Sequence, residues 1–254
     1  MLETLLLVGV GILAGFLNIM AGGGSMVSVP VMIFLGMPGH IANATNRVAI
    51  LAESITSISA FYKQGISDIK LSLSLAACTI PGAIIGAFVA SGIRSDNFNH
   101  LLAIIMGGVL LLMWFGDKKQ NTGDSAPTEA ITTHISKNRL VLGHILMVAA
   151  GFWGGFIQIG VGFILMPILH RVMGLDLIRT NMHKVTIVLI YTIVALAVFA
   201  SQVEIDWRVG LYLGLGAGIG GWLGTHVQIR QGTDIIKWIL NVVLIAFIIK
   251  LLFF

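Results

Sequence analysis

Two cations, Arg47 and Lys184, stand apart in this chain because both lie inside long apolar stretches. The other Lys and Arg residues fall in polar connections or toward the C-terminal end. Each of the two sits about seven residues into its apolar element, roughly 10 Å deep at 1.5 Å per residue. A cation at such depth is costly and normally faces a cavity or a partner. A related pair converging on one axis suits binding of a small anion; the plainer alternative is that both snorkel to an interface or pair for structure. Asn43 and Thr180 precede them by one turn on the same helical faces, and Tyr191 follows Lys184 by seven residues. Asn46 corresponds to His183, and Ala44 to Asn181. Glu53 is the acid set firmly inside an apolar element; it shares a face with Asn46, and its counterpart is Ile190. A buried carboxylate tends to hold a proton. Glu53 is therefore a candidate proton carrier, as is His183, whose type titrates near pH 6.5. For both, a structural hydrogen bond is the competing reading.

Glycine clusters precede two short elements. The first reads NIMAGGGSMVSVP, Asn18 to Pro30, and contains Gly22, Gly23, Gly24 and Ser25. The second reads FIQIGVGF, Phe156 to Phe163, with Gln158, Gly160 and Gly162. Glycine lets the backbone turn and lets a ligand approach the amides. A helix starting at Ser25 would present free N–H groups and a positive dipole end, which attract anions. Alternatively the glycines only permit close packing, the reading also given to Gly82-xxx-Gly86 and Gly220-xxx-Gly224. No HExxH, GxxxxGK[ST] or GxSxG pattern occurs, and Cys78 is the single cysteine. The expectation is no catalytic residue, no metal and no cofactor.

The elements that position these residues belong to a membrane protein. Of 254 residues, 57% are hydrophobic and 10% charged, against about 25% charged in soluble domains. The mean hydropathy is +0.97. A soluble enzyme, a nucleic-acid binder and a disordered chain are excluded on composition. No Asp, Glu, Lys or Arg interrupts residues 5–46, 71–93, 140–169, 185–203 or 209–229, and about 20 apolar residues cross a bilayer as helix. The N-terminus lacks a basic n-region, so it is expected to be the start of the mature protein. The pI near 9.4 reads as the Lys/Arg excess of cytoplasmic loops rather than a nucleic-acid surface.

Ten apolar elements follow, at about 3–20, 26–36, 40–62, 70–92, 97–116, 139–158, 162–173, 177–201, 208–229 and 233–254. Residues 1–116 form a first repeat, 117–138 a polar linker, and 139–254 a second repeat. An offset of 137 places Gly23 on Gly160, Pro30 on Pro167 and Arg47 on Lys184. With five elements per half, the second copy would be inverted. Alternating the chain from an outer N-terminus puts Lys63, Lys70, Lys118, Lys119, Lys137, Arg139, Arg171, Arg179, Arg230 and Lys237 inside. Only Arg94, Arg208 and Lys250 remain outside. The expectation is an all-α polytopic protein of the inner (cytoplasmic) membrane with two inverted-topology repeats, both termini outside and the linker cytoplasmic. Elements 26–36 and 162–173 reach only about 17–18 Å, too short for a core about 30 Å thick. Each is expected to dip in and return, a mark of transporter binding sites.

The run AGGGSMVSVPVMIFLGMPGHIANATNRVAI and its counterpart GVGFILMPILHRVMGLDLIRTNMHKVTIV resemble the repeated signature of the TauE/SafE family of sulfite-exporter-like membrane proteins. The resemblance covers most of the chain outside the linker. Gly22, Gly23, Gly24, Pro30, Ala44, Thr45 and Arg47 match the first signature; Gly160, Gly162, Pro167 and Lys184 match the second. Asn181-Met182-His183-Lys184 departs from it, standing where a Gly-Thr-Ser-Lys-like run is usual. The resemblance implies transport, in the export direction, of a small sulfur-containing anion such as sulfite or an organosulfonate. The candidate binding residues are thus Gly22, Gly23, Gly24, Ser25, Asn43, Thr45, Arg47, Gln158, Gly160, Gly162, Thr180, His183 and Lys184. The expected partners are that anion and the lipid bilayer, without nucleic acid and with a homo-oligomer left open. An anion channel using the same cationic site is the alternative.

Overall fold

The computed structural model describes residues 2–93, residues 98, 100–102, 104, 105, 107 and 108, and residues 135–231. Most of the fifth element, nearly all of the linker and the tenth element lie outside the described residues. Among those described, all regular structure is helical. Helix α1 covers Leu2–Ala21, α2 Ser25–Phe34, α3 Gly39–Lys63 and α4 Ile69–Ser91. Helix α5 covers Lys137–Phe156, α6 Gly162–Pro167 with a π-helical turn over Ile168–Val172, α7 Leu177–Gln202 and α8 Trp207–Gln231. Each boundary lies within about two residues of the sequence expectation, the usual scatter of helix ends.

Four of these helices, α1, α4, α5 and α7, are long and apolar enough to cross a membrane. Helix α3 has 25 residues, enough for about 37 Å, but carries Asn43, Asn46, Arg47 and Glu53. All four are buried, so its polar groups face protein rather than lipid. The outer surface is apolar instead: Leu5, Leu13, Ile85, Phe88, Ile145, Leu211 and Leu215 are exposed. Such a surface requires lipid as its solvent.

Both short elements belong to helical hairpins. After α1 the chain turns through Gly22, at φ +77°, and Gly24 packs against Ala14 and Asn18. Helix α2 thus begins alongside the end of α1. Glu3 and Leu35 line the same cavity, so both ends of the α1–α2 hairpin reach one face, here called the Glu3 face. The second hairpin mirrors this. A side chain at Gly174 would meet Arg139, and one at Gly143 would meet Met173. Its two ends therefore also lie together. The hairpin tips touch: a Cβ at Gly22 would sit 2.6 Å from the Cα of Gly162.

Glycine stripes bring the long helices into backbone contact. Helices α1 and α8 run parallel, with Gly216 on Val8 and Gly220 on Ile12. Helices α4 and α5 also run parallel, with Gly82 on Val148 and Gly86 on Phe152. Each half's last described long helix thus packs on the other half's hairpin. The GxxxG patterns at 82–86 and 220–224 are packing surfaces, as expected of small residues in membrane helices.

Gly220→Val should lower the melting temperature in detergent by several degrees, because overpacking costs about 1–3 kcal/mol. Gly9→Val, where nothing lies within 4 Å, should leave it within about a degree. Equal effects would contradict this packing.

Candidate functional site

A hairpin tip inside a bundle leaves helix-end carbonyls that need donors. At the end of α5 those donors come from α3. Arg47 Nη1 donates to the Gly154 carbonyl at 3.0 Å and to Gln158 Oε1 at 2.8 Å. Its Nη2 donates to the Gly155 carbonyl at 2.6 Å. Asn43 Nδ2 donates to the Phe156 carbonyl at 3.1 Å. At the end of α1 the donor comes from α7: Lys184 Nζ donates to the carbonyls of Asn18 at 2.8 Å and Ile19 at 3.3 Å. Arg47 and Lys184 are 0% and 1% exposed. Each cation sits against the negative end of the other half's first hairpin helix, where positive charge is favoured. The Arg47 guanidinium also lies 4.6 Å from the centre of the Phe199 ring, within cation–π range.

The structure divides the sequence candidates into groups. Arg47 and Gln158 form one unit with Tyr191, whose ring would contact any side chain at Gly154. Gln158 adopts a left-handed backbone at φ +59°, which orients its amide between Arg47 and Thr192; Nε2 to Thr192 Oγ1 is 3.3 Å. His183 Nδ1 is 2.8 Å from Ser72 Oγ. Thr180 Oγ1 donates to the Leu175 carbonyl at 3.4 Å rather than following its counterpart Asn43. Thr45 Oγ1 accepts the Asp206 N–H at 3.1 Å and ties the start of α8 to α3. Gly160, at φ +71°, turns the second tip. The arrangement expected from sequence had Arg47, Lys184, Ser25 and Gln158 around one ligand. In the structure the two cations instead direct most of their donors to carbonyls.

A separate polar cluster lies beside the first tip. Ser25, Ser28, Asn46 and Glu53 line a small void of about 10 Å³, together with Gly24, Ala49 and Ala217 among others. That is room for roughly one water. Ser28 Oγ donates to Asn46 Oδ1 at 2.6 Å, and Asn46 Nδ2 donates to Ser25 Oγ at 3.0 Å. Asn18 Nδ2 lies 2.8 and 2.9 Å from the two Glu53 carboxyl oxygens. Because the Asn18 carbonyl accepts from Lys184, Asn18 links the buried acid to the buried cation. Ser25 and Glu53 were sequence candidates; Ser28 and Asn18 were not singled out. For Ser28 the signal was available, since it lies one turn beyond Ser25 on the same helix face. Among the described residues, no group of three or more His, Cys, Asp or Glu is placed to hold a metal.

The sulfite exporter TauE/SafE family model matches residues 7–251. Curated relatives are probable membrane transporter proteins. ORF9 of Sinorhizobium sp is 28% identical over 240 residues, covering 94% of this chain and 88% of its own. YfcA of Escherichia coli K12 is 24% identical, covering 96% and 87%. YunE of Bacillus subtilis 168 is 26% identical, covering 96% and 95%. No solved structure matches.

Replacing Arg47 by Ala would leave the Gly154 and Gly155 carbonyls without these donors, at about 1–3 kcal/mol for each buried group. The thermal midpoint should therefore fall well below that of Arg47→Lys, which keeps a charge and fewer donors. Unfolding curves of the two variants in detergent check this; an unchanged midpoint for Arg47→Ala would remove the capping role.

Proposed function

This chain belongs to the sulfite exporter TauE/SafE family, and on that premise we propose that it carries a small sulfur-containing anion across the cytoplasmic membrane. Sulfite and organosulfonates are the substrates that membership of the family suggests. The observation that carries the reading is the small void lined by Ser25, Ser28, Asn46 and Glu53 at the start of α2. The Ser25 hydroxyl and the second Asn46 amide hydrogen offer donors to anion oxygens, the Ser28 hydroxyl being committed to Asn46 Oδ1, and the start of α2 adds its dipole. Glu53 in the same wall would repel an anion unless protonated. Anion and proton therefore travel together, the proton on Glu53 and the compensating charge on Lys184 through Asn18. His183, hydrogen-bonded to Ser72, is the second proton candidate.

The contacts support inverted repeats: α8 lies on α1 as α4 lies on α5, at nearly the same sequence offset. The two hairpins then enter from opposite faces and meet at Gly22 and Gly162. A void of one water is a closed form, so substrate entry requires α2 to swing about the Gly22–Gly24 turn while the α3–α8 contacts hold. Alternating access follows when each hairpin yields in turn. The Lys63 face, with Lys70, Arg139, Arg179 and Arg230, is cytoplasmic by the positive-inside rule; the Glu3 face is external. Arg47, Gln158, Gly160 and Gly162 hold the second tip and set the potential around the first.

In proteoliposomes, Ser25→Ala and Asn46→Ala should each raise the half-saturating anion concentration about two- to tenfold, the loss of one hydrogen bond. Glu53→Gln should retain anion binding and abolish the dependence of flux on a pH gradient. Flux by Glu53→Gln that still follows the gradient would remove the proton role. A thermal-shift screen against sulfite, sulfate, thiosulfate and small sulfonates identifies the substrate, because a ligand of the folded state alone raises stability.

A further inference from the structure

The Glu3 face holds a cavity of about 510 Å³ lined by Glu3, Met32, Leu35, Ile41, Glu204, Asp206 and Val209, among others. Its walls are continued inward by those of the small void. On α2, Met32 lines the cavity and Ser28 the void. On α3 the two residues are Ile41 and Asn46, and on α8 they are Val209 and Leu213. In each helix the step is four or five residues, about 6–8 Å. Three helices from different parts of the chain thus contribute both an outer and an inner lining at the same spacing. What separates the chambers is one turn of apolar packing. Met32, Val29, Ala42 and Leu213 belong to one buried cluster, and each is 0% exposed.

We propose that the cavity is the external vestibule of the transport route, and that Met32 on α2 and Leu213 on α8 form the collar gating it from the Ser25–Asn46–Glu53 chamber. The proposal rests on the reading of that chamber as the substrate site. It assigns the route to the α2–α3–α8 interface, and it makes α2 the moving wall, since α3 and α8 are joined by Thr45 and by their glycine contacts. The vestibule also has a charge. Glu3, Glu204 and Asp206 line it, so it concentrates protons and cations and raises the energy of an anion there on the way out and on the way in alike.

Cysteine labelling tests the route without any substrate. In a Cys78→Ser background, Ile41→Cys and Ala49→Cys report the vestibule and the chamber. Intact cells are treated with membrane-impermeant methanethiosulfonates, one cationic and one anionic. Ile41→Cys should label from outside, with the cationic reagent favoured beyond its ratio for a free thiol. Ala49→Cys should label slowly. Combining it with Met32→Ala and Leu213→Ala should accelerate external labelling about tenfold or more, since truncation leaves a void in the collar. Labelling of Ile41→Cys in the same truncated background confirms the fold. Unchanged Ala49→Cys labelling there would overturn the gate, and labelling of Ile41→Cys only from the cytoplasmic side would overturn the vestibule. Absence of anion flux with the labelling pattern intact would count against the transport reading alone.

Discussion

The structure depends on how broken helices are tolerated inside a bilayer. Helices α1 and α5 stop within the bundle, and carbonyls in their last turns take donors from outside their own helix. Water cannot serve them in the hydrocarbon region. Lys184 serves one end, and Arg47 with Asn43 serves the other. In each case the donor comes from the opposite half of the chain. Neither hairpin could keep its tip at depth if the other half were absent, so the halves are bound by an electrostatic exchange as well as by glycine packing. Sites built from discontinuous backbone obtain their amides and dipoles in this way, and they need a fixed frame around them.

Within that frame the halves differ. Around the first tip, Ser25, Ser28, Asn46 and Glu53 make a polar chamber. Their counterparts at the offset of 137 are Gly162, Leu165, His183 and Ile190. Three of those four cannot donate or accept through a side chain. The second tip is held instead by Arg47, Gln158 and Trp153, whose Nε1 donates to the Ile159 carbonyl at 2.9 Å. The polar side chains thus gather at the first tip, while the second is tied by donors to its carbonyls.

Much of the fold was legible in the sequence because the controlling signals are local. Uncharged runs marked the long helices, and the lengths of 26–36 and 162–173 foretold elements too short to span. The glycine clusters marked the turns, and the offset of 137 paired them. The site was less legible. Arg47 and Lys184 were singled out for their place inside apolar runs, and both side chains are buried. Depth alone does not show where a donor points, and a helix end from 107 or 165 residues away, as Gly154 is from Arg47 and Ile19 from Lys184, leaves no local trace. The role of Asn18 was hidden for the same reason. It reads as a polar residue before a glycine run, and only the tertiary fold brings Glu53 and Lys184 to its two sides.

The central claim is that the anion is held beside the first hairpin tip, under the Met32–Leu213 collar, and not by the buried cations directly. Anomalous diffraction from crystals grown with selenite, a heavier analogue of sulfite, locates the anion without assumption about flux. The expected result is a selenium peak within hydrogen-bond reach of Ser25 and Asn46, with Arg47 still on the Gly154 and Gly155 carbonyls. A peak coordinated by the Arg47 guanidinium, with those carbonyl bonds broken, would rule this placement out.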